Sequence, residues 1–441
     1  MDKCQGENMV YSLKINNKIW PNRTDIKLKG TAFSCELKPL LDKWLLSDKY
    51  QITNFVPVKH FSNDDLNKDR PIFIVASDIK FFKYLKGLLI NLKEIFGKHQ
   101  QIVGYDLGGI SENREMMAEV NSVCAMEWRK FDFSLLPENV HGLTNFSWKI
   151  AIIAEVLAEY PTVIYLDTKI RFKRKNGFQP YFKQIEQGSI SPWVNPWNTG
   201  HKISAATHTG MYKFIPHYWE IAAPYKERQM AEASINVVQK SEHSRLLLKW
   251  ALLCAATREC IDPPGAKIKC PVPLVGKSVC HRQDQSVINV LSNNLEQEHR
   301  INDPNFITQY DSHHPRHQPD NDFFYMEHHQ VLNQSRNEFK EHLRNEAVPG
   351  TKCHKNMSDR QNMLNFFQNL LSTIVFIQLL AADAIEIKPE LVPSLIKHSL
   401  LKNVRKLLQT HVRAQEDAHS GRDNTTPTGL KKTRLIPMNL N

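Results

Sequence analysis

The sequence lacks the short motifs that would assign it to a familiar class of nucleotide or ester chemistry. No G-x-G-x-x-G follows its first predicted strand, so a dinucleotide oxidoreductase is not expected. It has no G-x-S-x-G elbow of the kind that holds a nucleophilic serine. Gly276-Lys-Ser278 resembles the end of a P-loop, but Pro271 stands where that loop requires its earlier glycine.

Long apolar runs and a targeting signal are also missing. The longest run, 370–382, is interrupted by Ser372, Thr373 and Gln378 and is shorter than the ~20 residues of a membrane span. We expect a buried or interfacial helix there, and no transmembrane span in this chain. The first residues are polar and no apolar stretch follows them, so no signal peptide is predicted.

The net charge of +11 indicates a surface that attracts phosphates, nucleic acid or anionic lipid. The sequence has neither a dense Lys/Arg run nor zinc-finger spacing, so we expect no nucleic-acid partner and favour a small ligand that carries phosphate. The 441 residues suffice for one large domain or two ordinary ones. The sequence predicts no oligomeric state.

Four of the eight cysteines lie close together: Cys254, Cys260, Cys270 and Cys280. None is spaced as C-x-x-C, which argues against a zinc knuckle. Disulfides formed in an oxidising compartment suit them, with three possible connectivities, and free buried thiols are the alternative. Sequons such as Asn145-Phe-Ser147 permit secretion without establishing it.

Strands and helices alternate through the middle of the chain. Apolar strand-like runs at 71–76, 101–105, 128–133 and 163–166 are separated by stretches with helical periodicity. This pattern predicts an α/β fold with a mostly parallel, Rossmann-type sheet flanked by helices. The carboxyl ends of such strands meet at one edge, where we expect Ser77, Asp78, Asp106 and Asp167.

The chain divides into four predicted segments. They are an irregular N-terminal segment (1–66), the α/β domain (67–335), a mainly helical C-terminal extension (336–412) and a disordered basic tail (413–441).

Asp167 and Asp284 are the two acids of greatest interest. Asp167 ends a buried strand, where it can hold a metal or a nucleotide, or can simply start a turn. Asp284 opens a predicted helix, so it either caps that helix or faces Asp167 across a cleft. The functional interpretation requires both carboxylates at the rim of one pocket.

Six motifs between about 71 and 291 resemble an uncharacterised animal family, abundant in nematodes, of the domain of unknown function 1647 type. They are Val75-Ala-Ser77, Gly104-Tyr-Asp106-Leu-Gly108, Trp148-Lys149, Tyr165-Leu-Asp167-Thr-Lys-Ile-Arg171-Phe172, Thr207-His208-Thr-Gly210-Met211-Tyr212 and His281-Arg-Gln-Asp284-Gln285-Ser286. The wider resemblance is to nucleotide-diphospho-sugar transferases of the GT-A type. In those enzymes a strand ends in Asp-x-Asp, which binds a divalent metal and the donor diphosphate.

This resemblance implies a role for particular residues. Asp167 resembles the metal-binding first acid, and Asp284-Gln285 resembles a later Asp-Gln motif at the sugar. The implied catalytic residues are Asp167, Asp284 and the neighbouring His281. The implied nucleotide or diphosphate contacts are Ser77, Asp106, Lys149, Lys169 and Arg171, and the implied sugar or acceptor contacts are Gln285, His208 and Trp193.

The chain departs from the GT-A pattern where Lys169 replaces the second acid of Asp-x-Asp. A cation there repels a metal ion and can neutralise diphosphate in its place. A manganese or magnesium cofactor is therefore in doubt, and Lys169 with Arg171 is expected to stabilise the leaving diphosphate. If the strand continued, Asp167 and Lys169 would point the same way. The same substitution is also compatible with lost catalysis.

The predicted function is transfer of a sugar from a nucleotide-diphosphate donor to a hydroxyl of a glycan or protein acceptor. The alternative is an inactive nucleotide-, glycan- or protein-binding module on the same fold. Trp193, Trp197 and Trp219 either stack on sugar rings or belong to the core. The resemblance implies a glycoprotein of the Golgi or secretory pathway, while the absence of a visible signal or anchor leaves a cytoplasmic location open.

Overall fold

The structure is a computed structural model that describes residues 4–15, 26–55, 57, 70–218, 228–271 and 276–327. The predicted C-terminal extension and basic tail lie outside these residues. So does Trp219.

Strands and helices alternate along most of the described chain. The strands are β1 (Ser12–Ile15), β2 (Ile26–Lys29), β3 (Ile72–Asp78), β4 (Ile102–Gly108), β5 (Met126–Lys130), β6 (Thr162–Leu166), β7 (Ile170–Phe172), β8 (Trp193–Val194), β9 (Asn198–Lys202), β10 (Gln229–Ala231), β11 (Ile235–Gln239) and β12 (Phe324–Met326). The helices are α1 (Lys38–Lys43), α2 (Phe82–Phe96), α3 (Arg114–Asn121), α4 (Ser147–Glu159), α5 (Gln179–Glu186), α6 (Thr209–Tyr212), α7 (Glu242–Ala255), α8 (Arg258–Ile261) and α9 (Gln283–Asn302).

Six strands form the central sheet in the order β5-β4-β3-β6-β11-β8. The pairs β3–β4, β3–β6 and β4–β5 are parallel, whereas β11 runs antiparallel to both β6 and β8. This confirms the predicted α/β class with a mostly parallel sheet. Because β4 and β6 lie on opposite sides of β3, the order of strands reverses there, and such a point opens a crevice at the carboxyl edge.

Hydrophobic side chains on both faces of the sheet form two cores, which gives three layers. Alternate residues of a strand point to opposite faces. Ile74 and Tyr165 therefore join the core with α4, α7 and α9, while Val75 and Leu166 join the core with α2 and α5. Since both faces are covered, these strands are apolar along their length.

The N-terminal segment contains regular structure where the sequence predicted none. A hairpin of β1 and β2 is followed by α1, and a disulfide joins Cys4 to Cys35. Tyr11 packs edge-to-face on Trp250 of α7, with ring centroids 5.2 Å apart. Strands of four residues show too little periodicity to be found in the sequence, and they are stabilised here by packing on α7.

The clustered cysteines are paired in sequence order. Disulfides join Cys254 to Cys260 and Cys270 to Cys280, and no cysteine of the described chain is free. The alternative of free buried thiols is therefore wrong. Asn145 of the sequon is only 2% exposed, which makes it a poor acceptor for a glycan.

No helix within the described ranges is both long and apolar enough to cross a membrane.

Candidate functional site

Three charged side chains from distant parts of the chain meet at the carboxyl edge of the sheet. Lys149 Nζ lies 2.9 Å from Asp284 Oδ2 and 3.3 Å from Asp167 Oδ1. Asp167 follows β6 directly, whereas Lys149 and Asp284 lie in the first turns of α4 and α9. We call these residues the Asp-Lys-Asp cluster. The two carboxylates thus lie together, as the functional interpretation of the sequence required.

Both helices that supply the cluster begin next to strained backbone. Phe146, immediately before α4, has φ 57°, and Gln283, the first residue of α9, has φ 35°. A left-handed backbone conformation at a residue other than glycine costs roughly 1–3 kcal/mol and persists only where the surrounding structure imposes it. The strain lies beside the cluster and fixes the direction in which each helix starts.

The Lys149 ammonium is enclosed on all sides. Its side chain is 3% exposed, it donates to Ala233 O at 3.3 Å, and it lies 5.2 Å and 5.1 Å from the ring centroids of Phe146 and Tyr165. Burial acts to lower the pKa of Lys149, but the carboxylates of Asp167 and Asp284 outweigh it and raise the pKa above its usual value. The lysine is therefore charged at any physiological pH.

One ammonium serves two carboxylates, so the cluster keeps a negative charge. Burial raises the pKa of Asp284, and Lys149 offsets this only in part because Asp167 repels the same carboxylate. Asp167 is more accessible, with 39% of its side chain exposed, and its Oδ1 accepts a hydrogen bond from the Tyr165 hydroxyl at 3.0 Å. Asp284 is thus the buried acid of the cluster, and its pKa lies above its ordinary value.

The cluster lines an open pocket of about 100 Å³. The other side chains that line the pocket include Phe146, Glu232, Ser234, Ile268, Arg282 and Gln283. Charged and polar groups form most of the floor, and Phe146 and Ile268 add apolar surface. Such a lining suits a polar, charged ligand with at least one apolar face.

Two charged residues of the pocket were not assigned a role from the sequence. Arg282 stands immediately before α9, and its guanidinium makes no ion pair or hydrogen bond with another described residue. Glu232 follows β10, and burial, then Asp167, raises its pKa, while Arg282 and Lys149 act against this. Arg282 could have been found within the motif that contains Asp284, whereas no sequence signal marks Glu232.

Two buried polar atoms of uncharged side chains in the pocket, Ser234 Oγ and Gln283 Oε1, have no hydrogen-bond partner among the described residues. Asp284 Oδ2 also lacks a hydrogen-bond partner there, but it has its ion pair with Lys149. Buried polar groups are nearly always hydrogen-bonded in native proteins, so each unpartnered atom calls for a ligand or a solvent molecule. A hydroxyl group can both donate to the amide oxygen of Gln283 and accept from the hydroxyl of Ser234.

Ser77 and Asp106 lie at the same edge but are used by the protein itself. Ser77 Oγ donates to Asp78 O at 2.9 Å. Asp106 accepts hydrogen bonds from the backbone N–H groups of Gly108 at 2.7 Å and Ser111 at 2.6 Å. Burial acts to raise the pKa of Asp106, but these bonds lower it overall. The predicted nucleotide contacts of Ser77 and Asp106 stay predictions, and of the two side chains Asp106 already holds the 108–111 turn.

The structure places Lys169 and Arg171 away from the pocket. The strand ends at Leu166, and Ile170 N donates to Asp167 O at 3.1 Å, so a turn separates Asp167 from Lys169. Lys169 Nζ therefore lies over the Tyr84 ring, 4.8 Å from its centroid. Asp167 both starts a turn and lines the pocket, and its role in holding a metal or a nucleotide stays a prediction. The condition for a common direction of Asp167 and Lys169, a strand that continues past Asp167, is not met because β6 ends at Leu166.

Arg171 is a buried structural residue. Its guanidinium donates to Thr168 O at 2.8 Å and to Tyr84 O at 3.1 Å, and it forms an ion pair with Glu327. Its side chain is 7% exposed. Neither Arg171 nor these partners are among the residues that line the pocket, and the role of Arg171 at the diphosphate stays a prediction.

A hydrogen bond from the backbone N–H of His208 joins it to His281, and the two residues lie outside the pocket lining. His281 is fully buried, its Nε2 lies 3.0 Å from Ile261 O, and its Nδ1 accepts from the N–H of His208 at 3.2 Å. Burial lowers the pKa of His281 to about 4, so the ring is neutral. His208 caps α6 through Nδ1, which accepts from Gly210 N at 3.1 Å. Neither residue is among those that line the pocket.

The tryptophans that the structure describes belong to the packing of the core. Trp193 is 1% exposed, and Trp197 packs edge-to-face on Phe324 with ring centroids 5.2 Å apart. Gln285, in contrast, does line the pocket, and its amide nitrogen lies 2.9 Å from Met230 Sδ. Of the predicted sugar contacts, Gln285 is the one that the structure brings to the cluster.

Within the ranges that the structure describes, no group of three or more His, Cys, Asp or Glu side chains is arranged to hold a metal ion. In the candidate site, Asp167 and Asp284 share the Lys149 ammonium, which contacts both carboxylates.

The sequence model of a family described as a protein of unknown function (DUF1647) matches residues 4–154. The predicted resemblance to this family is thereby confirmed for that segment, which contains Ser77, Asp106 and Lys149 and ends before Asp167. A search of curated proteins by sequence found no match.

Solved glycosyltransferase structures are similar in fold. The galactosyltransferase LgtC, in complex with donor and acceptor sugar analogs, is 13% identical with a TM-score of 0.27, over 50% of this chain and 70% of that one. An active-site mutant of LgtC is 12% identical with a TM-score of 0.26, over 50% and 69%. The bifunctional glycosyltransferase WbbM is 11% identical with a TM-score of 0.29, over 51% of this chain and 38% of that one. This likeness concerns the fold class alone.

Proposed function

We propose that the protein transfers a sugar from a nucleotide-diphosphate donor to a hydroxyl group of a glycan or protein acceptor. The observation that supports this most is the meeting of Asp167, Lys149 and Asp284 beside a polar pocket at the carboxyl edge of a mostly parallel sheet. The motifs around the two acids resemble those of nucleotide-sugar transferases. The unpartnered atoms of Ser234 and Gln283 suit the hydroxyl groups of a sugar.

Departure of the nucleoside diphosphate requires fixed positive groups. As the acceptor oxygen bonds to the anomeric carbon, the bond from that carbon to the diphosphate oxygen breaks, and negative charge grows on the diphosphate. Arg282 is the unpaired cation of the pocket and stands at the N-terminus of α9, a 20-residue helix whose dipole adds positive potential. Lys149 supplies a second cation. These two residues take the role that the sequence had suggested for Lys169 and Arg171.

The acceptor hydroxyl must lose a proton during transfer. Asp167 and Asp284 both contact the Lys149 ammonium, whereas Glu232 makes no ion pair with a described residue and lines the same pocket. The pKa of Glu232 is raised toward neutral pH, which makes its carboxylate a better proton acceptor than an ordinary glutamate. We therefore assign proton acceptance to Glu232, and orientation of the donor sugar to Asp284 and Gln285.

The disulfides support an oxidising compartment. Cys254–Cys260 and Cys270–Cys280 both lie in the part of the chain that leads into α9 and the pocket. Disulfides form and persist in secreted and lumenal proteins. This agrees with the secretory pathway that the sequence resemblance implied.

The test is a turnover assay on the full-length protein with common nucleotide-sugar donors, with and without manganese, in which released nucleoside diphosphate is measured. We expect slow donor hydrolysis that Asp284→Asn abolishes. Asp322→Asn is the matched control, because Asp322 is 64% exposed and pairs only with surface cations, Lys173 and Arg174. Absence of turnover with every donor, or equal loss in both variants, would contradict the proposal.

A binding module on the same fold is the second candidate function. Two observations favour it: one lysine neutralises both acids of the cluster, and the pocket of about 100 Å³ is small for a whole nucleotide sugar. Calorimetric binding of uridine or guanosine diphosphate without turnover would select this candidate.

A further inference from the structure

We infer that the Lys149 ammonium is a built-in replacement for a divalent cation, so that the protein binds nucleoside diphosphates without metal. The part of this inference that concerns the nucleotide rests on the proposed function. The part that concerns the metal rests on the geometry of the Asp-Lys-Asp cluster alone and is tested independently of the proposed function.

The ammonium occupies the place between the two acids. Its Nζ contacts one carboxylate oxygen of each, at 2.9 Å for Asp284 and 3.3 Å for Asp167. A divalent ion such as magnesium requires oxygen ligands at about 2.0–2.1 Å in an octahedral arrangement. An ion bound by the same two oxygens would lie against the ammonium, which carries the same sign of charge.

The ammonium cannot readily move aside. Ala233 O accepts from it at 3.3 Å, and the rings of Phe146 and Tyr165 lie over it at 5.2 Å and 5.1 Å. A carbonyl oxygen and two aromatic faces are groups that stabilise a cation. The side chain is 3% exposed, so displacement would require burying it elsewhere or opening the first turn of α4.

The remaining features of a metal site are also absent from the described residues. Lys169 stands where the second acid of Asp-x-Asp would be and is directed to Tyr84. No group of three or more potential metal ligands occurs in the part of the chain that the structure describes. The residues present therefore do not fit the metal ion that the sequence resemblance implied.

Removing the lysine should turn the two acids into a metal site. In Lys149→Ala the oxygens of Asp167 and Asp284 would face an empty space with Glu232 nearby, and negative charge concentrated at one point attracts hard divalent cations. We expect this variant to bind Mn²⁺ at least about tenfold more tightly than the unmodified protein, since affinity follows the charge of the ligand set. The added metal should also raise its melting temperature, because it binds the folded state.

The experiment measures Mn²⁺ alone by the loss of its free electron paramagnetic resonance signal. Unmodified protein, Lys149→Ala, Lys149→Ala with Asp284→Asn, and Lys169→Ala are compared. Lys169→Ala is the matched control, because it removes a lysine from the turn that follows Asp167, where its ammonium contacts the Tyr84 ring. The expected result is tight binding by Lys149→Ala only. Equal binding by Lys149→Ala and by the variant that also lacks the Asp284 charge would overturn the inference.

A second arm needs no change at Lys149, and so decides the matter if those variants do not fold. Unmodified protein is titrated with Mn²⁺ and compared with Asp284→Asn. Tight binding that Asp284→Asn removes would show that the metal displaces the ammonium, and would refute the inference. Weak binding that is the same in both proteins supports it.

A third arm measures calorimetric binding of uridine and guanosine diphosphate in EDTA and in manganese. We expect affinities that agree within about twofold for any nucleotide that binds, since no metal ligand is contributed by the protein. Binding that requires manganese would overturn the inference. Absence of binding to either nucleotide in both buffers would contradict the proposed function, while the manganese titrations still decide the role of Lys149.

Discussion

Replacing Lys149 by methionine should destabilise the protein through the loss of one buried cation. At 2.9 Å from Asp284 Oδ2, the ammonium contributes an attraction of about 6 kcal/mol at an effective dielectric constant of 20. Part of this is offset because the lysine no longer has to be buried as a charge. Removing one partner of a buried ion pair costs about 3–5 kcal/mol in net terms, and we expect a loss in that range.

Asp167 adds little to this figure. Its side chain is 39% exposed, so water screens its interaction with Lys149, and pairs of this kind contribute about 0–1 kcal/mol. The main cost is therefore an uncompensated carboxylate at Asp284, whose side chain is 6% exposed. It follows that Asp284→Asn, introduced together with Lys149→Met, should restore most of the lost stability.

The assay is denaturant unfolding at pH 7 of the unmodified protein, the two single variants and the double variant. Lys169→Met serves as the control, with an expected cost below about 1 kcal/mol, because that lysine makes a cation–π contact at a half-buried site. The penalty of Lys149→Met should shrink at lower pH, since protonation of Asp284 removes the unpaired charge. A Lys149→Met variant as stable as the control, or a double variant no more stable than the single one, would refute the reasoning.

Three further predictions concern the charges of Glu296, of Arg282, and of Glu232 with Asp284. Burial raises the pKa of Glu296 from 4.5 to about 8, so the free energy of unfolding should fall as the pH rises from about 4.5 to 8. Glu296→Gln should abolish this loss, and denaturation curves at several pH values measure it. Arg282→Ala should weaken uridine diphosphate binding about tenfold or more in calorimetry. Arg300→Ala, which removes a surface ion pair with Asp311, should not. Equal effects of the two variants would contradict a role for Arg282 at the diphosphate. Binding of the same nucleotide should strengthen as the pH falls, because protonation of Glu232 and Asp284 makes the pocket more positive; an identical pH profile in Glu232→Gln would argue against Glu232 as the cause.

Much of the α/β domain could be predicted because its signals are local. The strands β3, β4 and β6 are buried on both faces, so they appear in the sequence as short apolar runs, and α4 is apolar all round because it packs on β3, β6 and α7. The hairpin of β1 and β2 escaped prediction because its strands have four residues each and depend on contacts with α7.

The sequence indicated part of the candidate site, namely Asp167, Asp284, Gln285 and Lys149, and missed Arg282 and Glu232. Asp167 directly follows a recognisable strand, so its position at the sheet edge followed from element order, whereas for Asp284 the sequence left open a helix cap or a position facing Asp167. Lys169 and Arg171 were assigned to the diphosphate because they lie close to Asp167 in sequence, and the turn after β6 directs them elsewhere. Glu232 belongs to the short β10–β11 connection, which no periodic pattern marks.

The sequence by itself determined the longer buried strands and helices of the α/β domain, such as β3, β4, β6 and α4, since their signal is the spacing of apolar residues within a few turns or pleats. It also placed Asp167 at the carboxyl edge of the sheet, while the meeting of Asp167 with Asp284 depended on the tertiary structure. Only the tertiary structure decided that Lys149, rather than a nearer lysine in the sequence, lies between them. A buried ammonium contacts whatever oxygens the packing of α4 and α9 brings within about 3 Å, and that distance depends on residues far apart in the chain.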